Sequence, residues 1–223
     1  MDGDYGVDIL GNNTLMKVTL QDELPVIIGL LAGTDEAGRG PLAGNVVAAA
    51  VILDPDAPIA GLDDSKKLSE KKREALSLEI KQKALSWHIV SITPEQIDEM
   101  NILQDSLFAM RTAAEKLSAR PDHVFVDGNK TLPDCFCENT AIIKGDSRVA
   151  EISAASILAK VERDAQMLVL HEEYPEYGFD KHKGYPTKQH REILQAIGPC
   201  PQHRKSYAPV RDSILKFAHG VDA

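Results

Sequence analysis

Two adjacent carboxylates, Asp35 and Glu36, stand at the end of an apolar run, and a glycine-rich turn, Gly38-Arg39-Gly40-Pro41, follows at once. The run from Ile27 to Thr34 has the length and composition of a short buried strand. Acids at the end of such a strand are costly to bury unless something cationic sits between them. Gly38 and Gly40 let backbone amides come close to a ligand, and Arg39 sets a guanidinium between them. Carboxylates for a metal beside amides and a guanidinium for a phosphate or sugar point to phosphodiester chemistry.

The rest of the chain supplies a core for that segment. With 223 residues, 43% of them hydrophobic, it can bury one substantial core. Val46 to Leu53 reads as a second buried strand, near enough to the first for antiparallel pairing. Ser69 caps a charged helix to about Ala84, Trp87 to Ile92 reads as a strand, and Thr93-Pro94-Glu95 opens another helix. Leu103, Leu107, Met110, Ala114 and Leu117 mark one buried helix face. His123 to Val126 reads as a strand that delivers Asp127, and the segment Ala141-Ile142-Ile143 delivers Asp146. A long helix follows from about Glu151 to Glu173, with Ala154, Ile157, Leu158, Val161, Ala165 and Leu168 on its apolar face. Strands alternating with helices imply an α/β layer fold. The expected division is an N-terminal extension over 1–27, one domain over 28–217 and a tail over 218–223.

Charge and cysteine usage narrow the partners. Lys+Arg number 25 against 34 Asp+Glu, a net −9, which speaks against a nonspecific DNA coat but leaves room for a local basic groove. Cys135, Cys137 and Cys200 lack the paired spacing of a zinc site and read as reduced thiols of an intracellular, cytoplasmic protein. No apolar stretch reaches membrane-spanning length, and the first residues carry no Lys or Arg to open a signal or transit peptide.

Asp35, Glu36, Asp127 and Asp146 each follow a strand-like segment, and strand ends in an open α/β sheet converge on one edge. Four acids gathered there would repel one another unless a divalent cation neutralised them, and all-oxygen donors suit Mg²⁺ or Mn²⁺. Strand-end acids can also face solvent or cap a turn, and spacing alone does not bring these four together. Arg39, Ser65, Lys66, Lys160 and Arg163 are candidates for a phosphate backbone, and Tyr185 for stacking on a sugar or base. His182 and His203 stay open as general acids, with no role assigned. A pure binder of hybrid nucleic acid and a metal-dependent phosphatase compete with a nuclease at this level; the acid set disfavours the first, and the scattered basic elements the second.

Six segments, taken together, resemble bacterial ribonuclease HII. They are Gly33-Thr34-Asp35-Glu36-Ala37-Gly38-Arg39-Gly40-Pro41-Leu42-Ala43-Gly44, Asp64-Ser65-Lys66-Lys67-Leu68, Asp127-Gly128-Asn129, Lys144-Gly145-Asp146-Ser147, the helix segment Ile152 to Val161, and His182-Lys183-Gly184-Tyr185-Pro186-Thr187. Arg204 to Val210 also looks like the family's C-terminal segment, so the resemblance spans about residues 30–217. It implies a ribonuclease H-like fold, a mixed five-stranded sheet flanked by helices with a C-terminal helical extension. It implies a metal-dependent endoribonuclease that cuts the RNA strand of RNA–DNA hybrids and acts 5′ of single ribonucleotides in duplex DNA, leaving 3′-hydroxyl and 5′-phosphate ends. By residue match, Asp35, Glu36, Asp127 and Asp146 would bind Mn²⁺ or Mg²⁺. Gly38, Arg39 and Gly40 would read the 2′-hydroxyl, with Tyr185 against the ribose. No clamp-binding peptide is evident at the C-terminus, which speaks against a sliding-clamp partner, and a monomer is expected.

Overall fold

The computed structural model describes residues 27–99 and 102–219. The extension expected over 1–27 lies outside the described residues except for Ile27, as does most of the expected tail. A five-stranded sheet has the order β3-β2-β1-β4-β5. β1 (Leu31–Ala37) pairs antiparallel with β2 (Val46–Ile52), and β2 pairs antiparallel with β3 (Ser86–Ile92). On the other side β1 runs parallel to β4 (His123–Asp127), and β4 to β5 (Glu138–Ile142). The sheet is therefore mixed, as the resemblance implied.

The composition of β2 explains the layers. All seven of its residues are buried, because a strand covered on both faces can be apolar throughout. Val46, Ala48, Ala50 and Ile52 face one core with Met110 and Ala113 of α3 (Ile102–Glu115). Val47, Ala49 and Val51 face the other, with Ile80 of α1 (Glu70–Lys83) and Ile157 and Leu158 of α4 (Ala150–Glu173). Ser69 caps α1 as expected, its side chain accepting from the Lys72 N–H. A short helix, α2 (Pro94–Glu99), leads towards α3. Beyond α4, the short α5 (Phe179–His182), then α6 (Lys188–Ile197) and α7 (Ala208–His219), enclose a third core around Phe179, Leu194 and Val210. α7 runs past the boundary expected at 217. Among the described residues no helix is long and apolar enough to cross a membrane.

Two sequence expectations are corrected. β1 begins at Leu31, not Ile27, and continues through the acidic pair to Ala37, with Asp35 opposite Ala49 and Glu36 opposite Ala48. The chain bends before it, where Gly29 takes φ +135° and Ile28 is exposed, and Asp122 accepts the Leu30 N–H. β2 then offers ladder partners as far as Ala37, so the acids sit inside the strand rather than after it. The apolar face expected on α4 also fails in its second half. Ala165 and Leu168 are exposed, whereas Arg163, Asp164 and Met167 are buried. The first half of α4 lies across the sheet and is buried all round; the second half leaves the sheet and packs on the Gly44 and C-terminal segments.

Gly33 sets how closely α4 meets β1. A Cβ added there would lie 2.2 Å from the Glu151 carbonyl carbon and 2.2 Å from the Ile152 nitrogen. Both are helix backbone, which no rotamer change can move aside. Gly33→Ala is expected to cost at least about 2 kcal/mol, the upper part of the range for overpacking a core. Urea unfolding of the two proteins measures it, and an unchanged midpoint would show that α4 slides freely on the sheet.

Candidate active site at the ends of β1 and β4

The close approach at Gly33 carries α4 over the end of β1. Thr34 is level with Val126 on the parallel neighbour, so Asp35 and Asp127 follow side by side on adjacent strands, whose spacing is about 4.8 Å. Asp35 is 6% exposed and accepts from the Ser156 hydroxyl of α4 and from the Glu36 N–H at 2.7 Å. Asp127 Oδ1 accepts from the Gly145 N–H at 2.8 Å and the Asp146 N–H at 3.4 Å. That carboxylate thus shapes the one-turn 3₁₀ segment Gly145–Ser147, which holds Asp146 beside it. Ser153 of α4 ties the segment down by donating to the Asp146 carbonyl at 2.6 Å.

The structure therefore brings the four acids expected from the sequence to one edge of the sheet, where burial and then mutual repulsion raise three of them. Burial raises the Asp35 pKa well above the carboxylate range, with Glu36 and then Asp127 adding to it. Burial also raises Glu36, against the pull of Arg39, whose Nη1 is 3.3 Å from Glu36 Oε1. Asp146 is raised by burial, then by Asp127 and Asp64. Lys66 is the nearby cation: burial pulls its ammonium down, but Asp35, Asp64, Asp146 and Asp127 outweigh this and raise it.

Asp64 was missed as a site residue, although the sequence places it directly before Ser65 and Lys66. It lies close enough to Asp146 to raise the pKa of that carboxyl. Among the described residues, no group of three or more His, Cys, Asp or Glu is gathered tightly enough to hold a metal ion. The acids form a crowded, repelling set rather than a finished cage.

The turn after β1 is the other half of the site. Gly38 has φ +101°, and a Cβ there would lie 2.1 Å from Arg163 Nε, so glycine is required twice over. Gly40 faces Tyr185, with Cε1 3.7 Å from where a Cβ would stand. Arg39 and Tyr185 are exposed, and Arg39 bridges back to Glu36.

Three expected phosphate contacts are corrected. Arg163 is 1% exposed, and its guanidinium donates to the carbonyls of Asn45, Ala43 and Lys183. It supports the turn from behind, and burial pushes its pKa down to about 10. Ser65 is buried with its hydroxyl 2.9 Å from that of Ser156. Lys160 is held by Asp164 at 2.6 Å. Of the candidates for a phosphate backbone, Lys66 and Arg39 are exposed beside the acids.

His182 and His203 do not face the acids. His182 donates from Nε2 to the Tyr177 carbonyl while Nδ1 accepts the Gly184 N–H. His203 accepts the Cys200 N–H at Nδ1, which leaves its Nε2–H to donate to His190 Nε2 at 3.0 Å. His190 Nδ1 then donates to the Tyr185 carbonyl. Burial keeps all three rings neutral, with His203 pushed down to about 3 and His190 to about 4.

Comparison with known proteins identifies the family and the fold. The family model described as Ribonuclease HII matches residues 32–210. The chain belongs to the ribonuclease HII family. Ribonuclease HII of Shewanella halifaxensis is 58% identical over 197 residues, covering 88% of this chain and 97% of that protein. The Marinomonas protein of the same name is 60% identical over 182 residues, 82% of this chain and 92% of that one. Among solved structures, ribonuclease H2 of Pyrococcus horikoshii superposes with a TM-score of 0.71 at 27% identity, over 84% of this chain and 98% of that one. The ribonuclease HII in a PCNA complex from Archaeoglobus fulgidus gives 0.68 at 28% identity, over 80% and 95%. The fold is ribonuclease H-like and the activity that of a ribonuclease H, an endonuclease acting on RNA–DNA hybrids.

Crowding of the acids has a thermodynamic sign. A carboxyl with a raised pKa in the fold makes folding less favourable once pH exceeds the unfolded value, and the full penalty is present above the folded value. Asp35→Asn removes it. In chelator at pH 7.5 the variant is expected to melt higher than the parent. The gain should vanish below pH 4, where both states of the parent are protonated. Thermal melts across pH check this, and a destabilised variant at pH 7.5 would contradict the crowding.

Proposed function

We propose that the chain hydrolyses the phosphodiester on the 5′ side of a single ribonucleotide in duplex DNA, leaving 3′-hydroxyl and 5′-phosphate ends, by two-metal-ion catalysis. The observation that carries this reading is the convergence of Asp35, Glu36, Asp127 and Asp146 at one edge of the sheet, next to the Gly38-Arg39-Gly40 turn and Tyr185. The donor set fits a hard divalent ion, Mg²⁺ or Mn²⁺. All four groups are oxygen acids, and the raised pKa values of Asp35, Glu36 and Asp146 are what a cation would relieve. When bound, such ions supply Lewis acidity to the attacked phosphate and its leaving oxygen.

The chain's own groups do the rest. Lys66 places an ammonium beside the acids, where it attracts the phosphate backbone. Arg39 is exposed on the turn and can swing from Glu36 to a phosphate oxygen. The exposed Gly40 of the turn lies beside the Tyr185 ring, and on this reading the pair meets the ribose, whose 2′-hydroxyl is the group by which RNA differs from DNA. Recognition and hydrolysis then occupy neighbouring residues of one β1 segment.

The test uses duplex DNA with one ribonucleotide, incubated with Mg²⁺, Mn²⁺ or chelator, and the cut mapped to the nucleotide. A single cut 5′ of the ribonucleotide is expected, lost in chelator and slowed at least about 10²-fold by Asp35→Asn. Cutting of an all-DNA duplex at the same rate would overturn the role given to the turn and Tyr185. Undiminished cutting in chelator would overturn the metal.

A further inference from the structure

Arg204 lies in the C-terminal segment, 165 residues from Arg39, yet it is built into the back of the ribose-facing turn. Its side chain is fully buried, and among the described residues no carboxylate lies within ion-pair distance. All five of its N–H donors are taken up. Nε donates to the Gly44 carbonyl at 3.0 Å, and Nη2 to the carbonyls of Gly38 and Gly44, both at 2.7 Å. Nη1 donates to the Arg39 carbonyl at 3.1 Å and to the Tyr207 hydroxyl at 3.2 Å. That hydroxyl donates in turn to the Arg39 carbonyl at 2.6 Å.

The consequence follows from peptide geometry. In a trans peptide unit the C=O and the next N–H point in opposite directions. Holding the Gly38 and Arg39 carbonyls inward therefore turns the N–H groups of Arg39 and Gly40 outward. That is the open side of the turn, where Gly40 faces Tyr185. No other backbone oxygen among the described residues takes up either N–H.

We propose that Arg204, assisted by Tyr207, is a positioning residue for ribose selection: it aims two peptide donors at the sugar hydroxyl without touching the substrate. A planar fork is needed for this, since a lysine cannot span three carbonyls set at fixed angles. The segment is in turn strapped beside the turn by main-chain bonds, Arg204 N–H to the Leu42 carbonyl at 2.9 Å and Gly44 N–H to the Gln202 carbonyl at 2.9 Å. A buried guanidinium without a carboxylate partner is costly to keep, and burial lowers its pKa. An apolar side chain of similar volume would fill the space, but it would leave the carbonyls unaimed.

The inference rests on the reading that Gly38 to Gly40 contact a ribose hydroxyl. Its test measures affinity for two duplexes of one sequence, with and without a single ribonucleotide, on an Asp35→Asn background that keeps the substrate intact. Cleavage kinetics are measured on the otherwise unchanged enzyme. Arg204→Lys is expected to shrink the preference for the ribonucleotide duplex at least tenfold while affinity for all-DNA duplex stays within about twofold, and to cut kcat/KM by about 10²-fold, the scale of a small misplacement of reacting groups.

Tyr207→Phe, which removes one donor at the edge of the network, is expected to shrink the preference about threefold with an unchanged melting temperature. It decides the matter if Arg204→Lys does not fold. Equal loss of affinity for both duplexes, or full preference retained in both variants, would overturn the role of Arg204. A parent protein that binds the two duplexes alike would instead overturn the underlying reading of the turn.

Discussion

The site depends first on one backbone-to-backbone approach, that of α4 against β1 at Gly33. The missing side chain lets the helix backbone come so close that even a methyl group would overlap it. From that contact α4 proceeds over the strand and delivers Ser156 to Asp35 and Ser153 to the Asp146 segment. Asp127 reaches the same place from the other side, because β4 runs parallel to β1 in a register that aligns the two acids. The acids thus come from three elements, β1, β4 and the segment before α4, and Gly33 sets how closely α4 meets the first of them. A wider separation of helix and sheet would ease the crowding and disperse the site.

The second dependence runs from the C-terminus back to the turn after β1. Arg163 and Arg204 together hold carbonyls at Gly38, Arg39, Ala43, Gly44, Asn45 and Lys183. They replace the regular secondary structure that this stretch lacks, so that a loop of glycines has one conformation rather than many. The neutral histidine relay secures the other wall, since His190 donates to the Tyr185 carbonyl and is itself held by His203. The C-terminal helices are therefore part of the site's frame. A chain cut before Arg204 would keep its sheet and all its acids but lose the support of its turn.

Much of this was legible in the sequence, for definable reasons. The apolar run of β2 and the cap at Ser69 are local signals, and both elements fall where they were expected. The four acids stood out because each follows an apolar run in the sequence and lies in a motif of the family. What failed was non-local. β1 extends through Asp35 and Glu36 because β2 supplies partners there, which periodicity within β1 does not reveal. Arg163 reads as a surface cation from its charge, yet the carbonyls that bury it belong to segments about 20 and 120 residues away. Arg204 could be quoted from the C-terminal segment but not given a task, because its task depends on how the turn is oriented in space.

Those two arginines and the acids make a complementary pair of imbalances. On one side of the turn several carboxylates crowd together with Lys66 and Arg39 as their nearby cations. Beneath it lie two guanidinium groups that donate to backbone carbonyls, and in Arg204 also to the Tyr207 hydroxyl, rather than to carboxylates. The charges are not allowed to neutralise each other directly, since the turn stands between them. Its carbonyls absorb the arginine donors, and its amides, pointing the opposite way, carry the positive end of the peptide dipoles to the open face. Under the proposed mechanism a sugar hydroxyl would meet donors there, while the acids, short of cations, would be completed by metal and phosphodiester. Pairing the arginines with the acids would relieve their crowding, and on that reading it would remove both the electrostatic deficit that would draw cations in and the rigid donors that would distinguish ribose from deoxyribose.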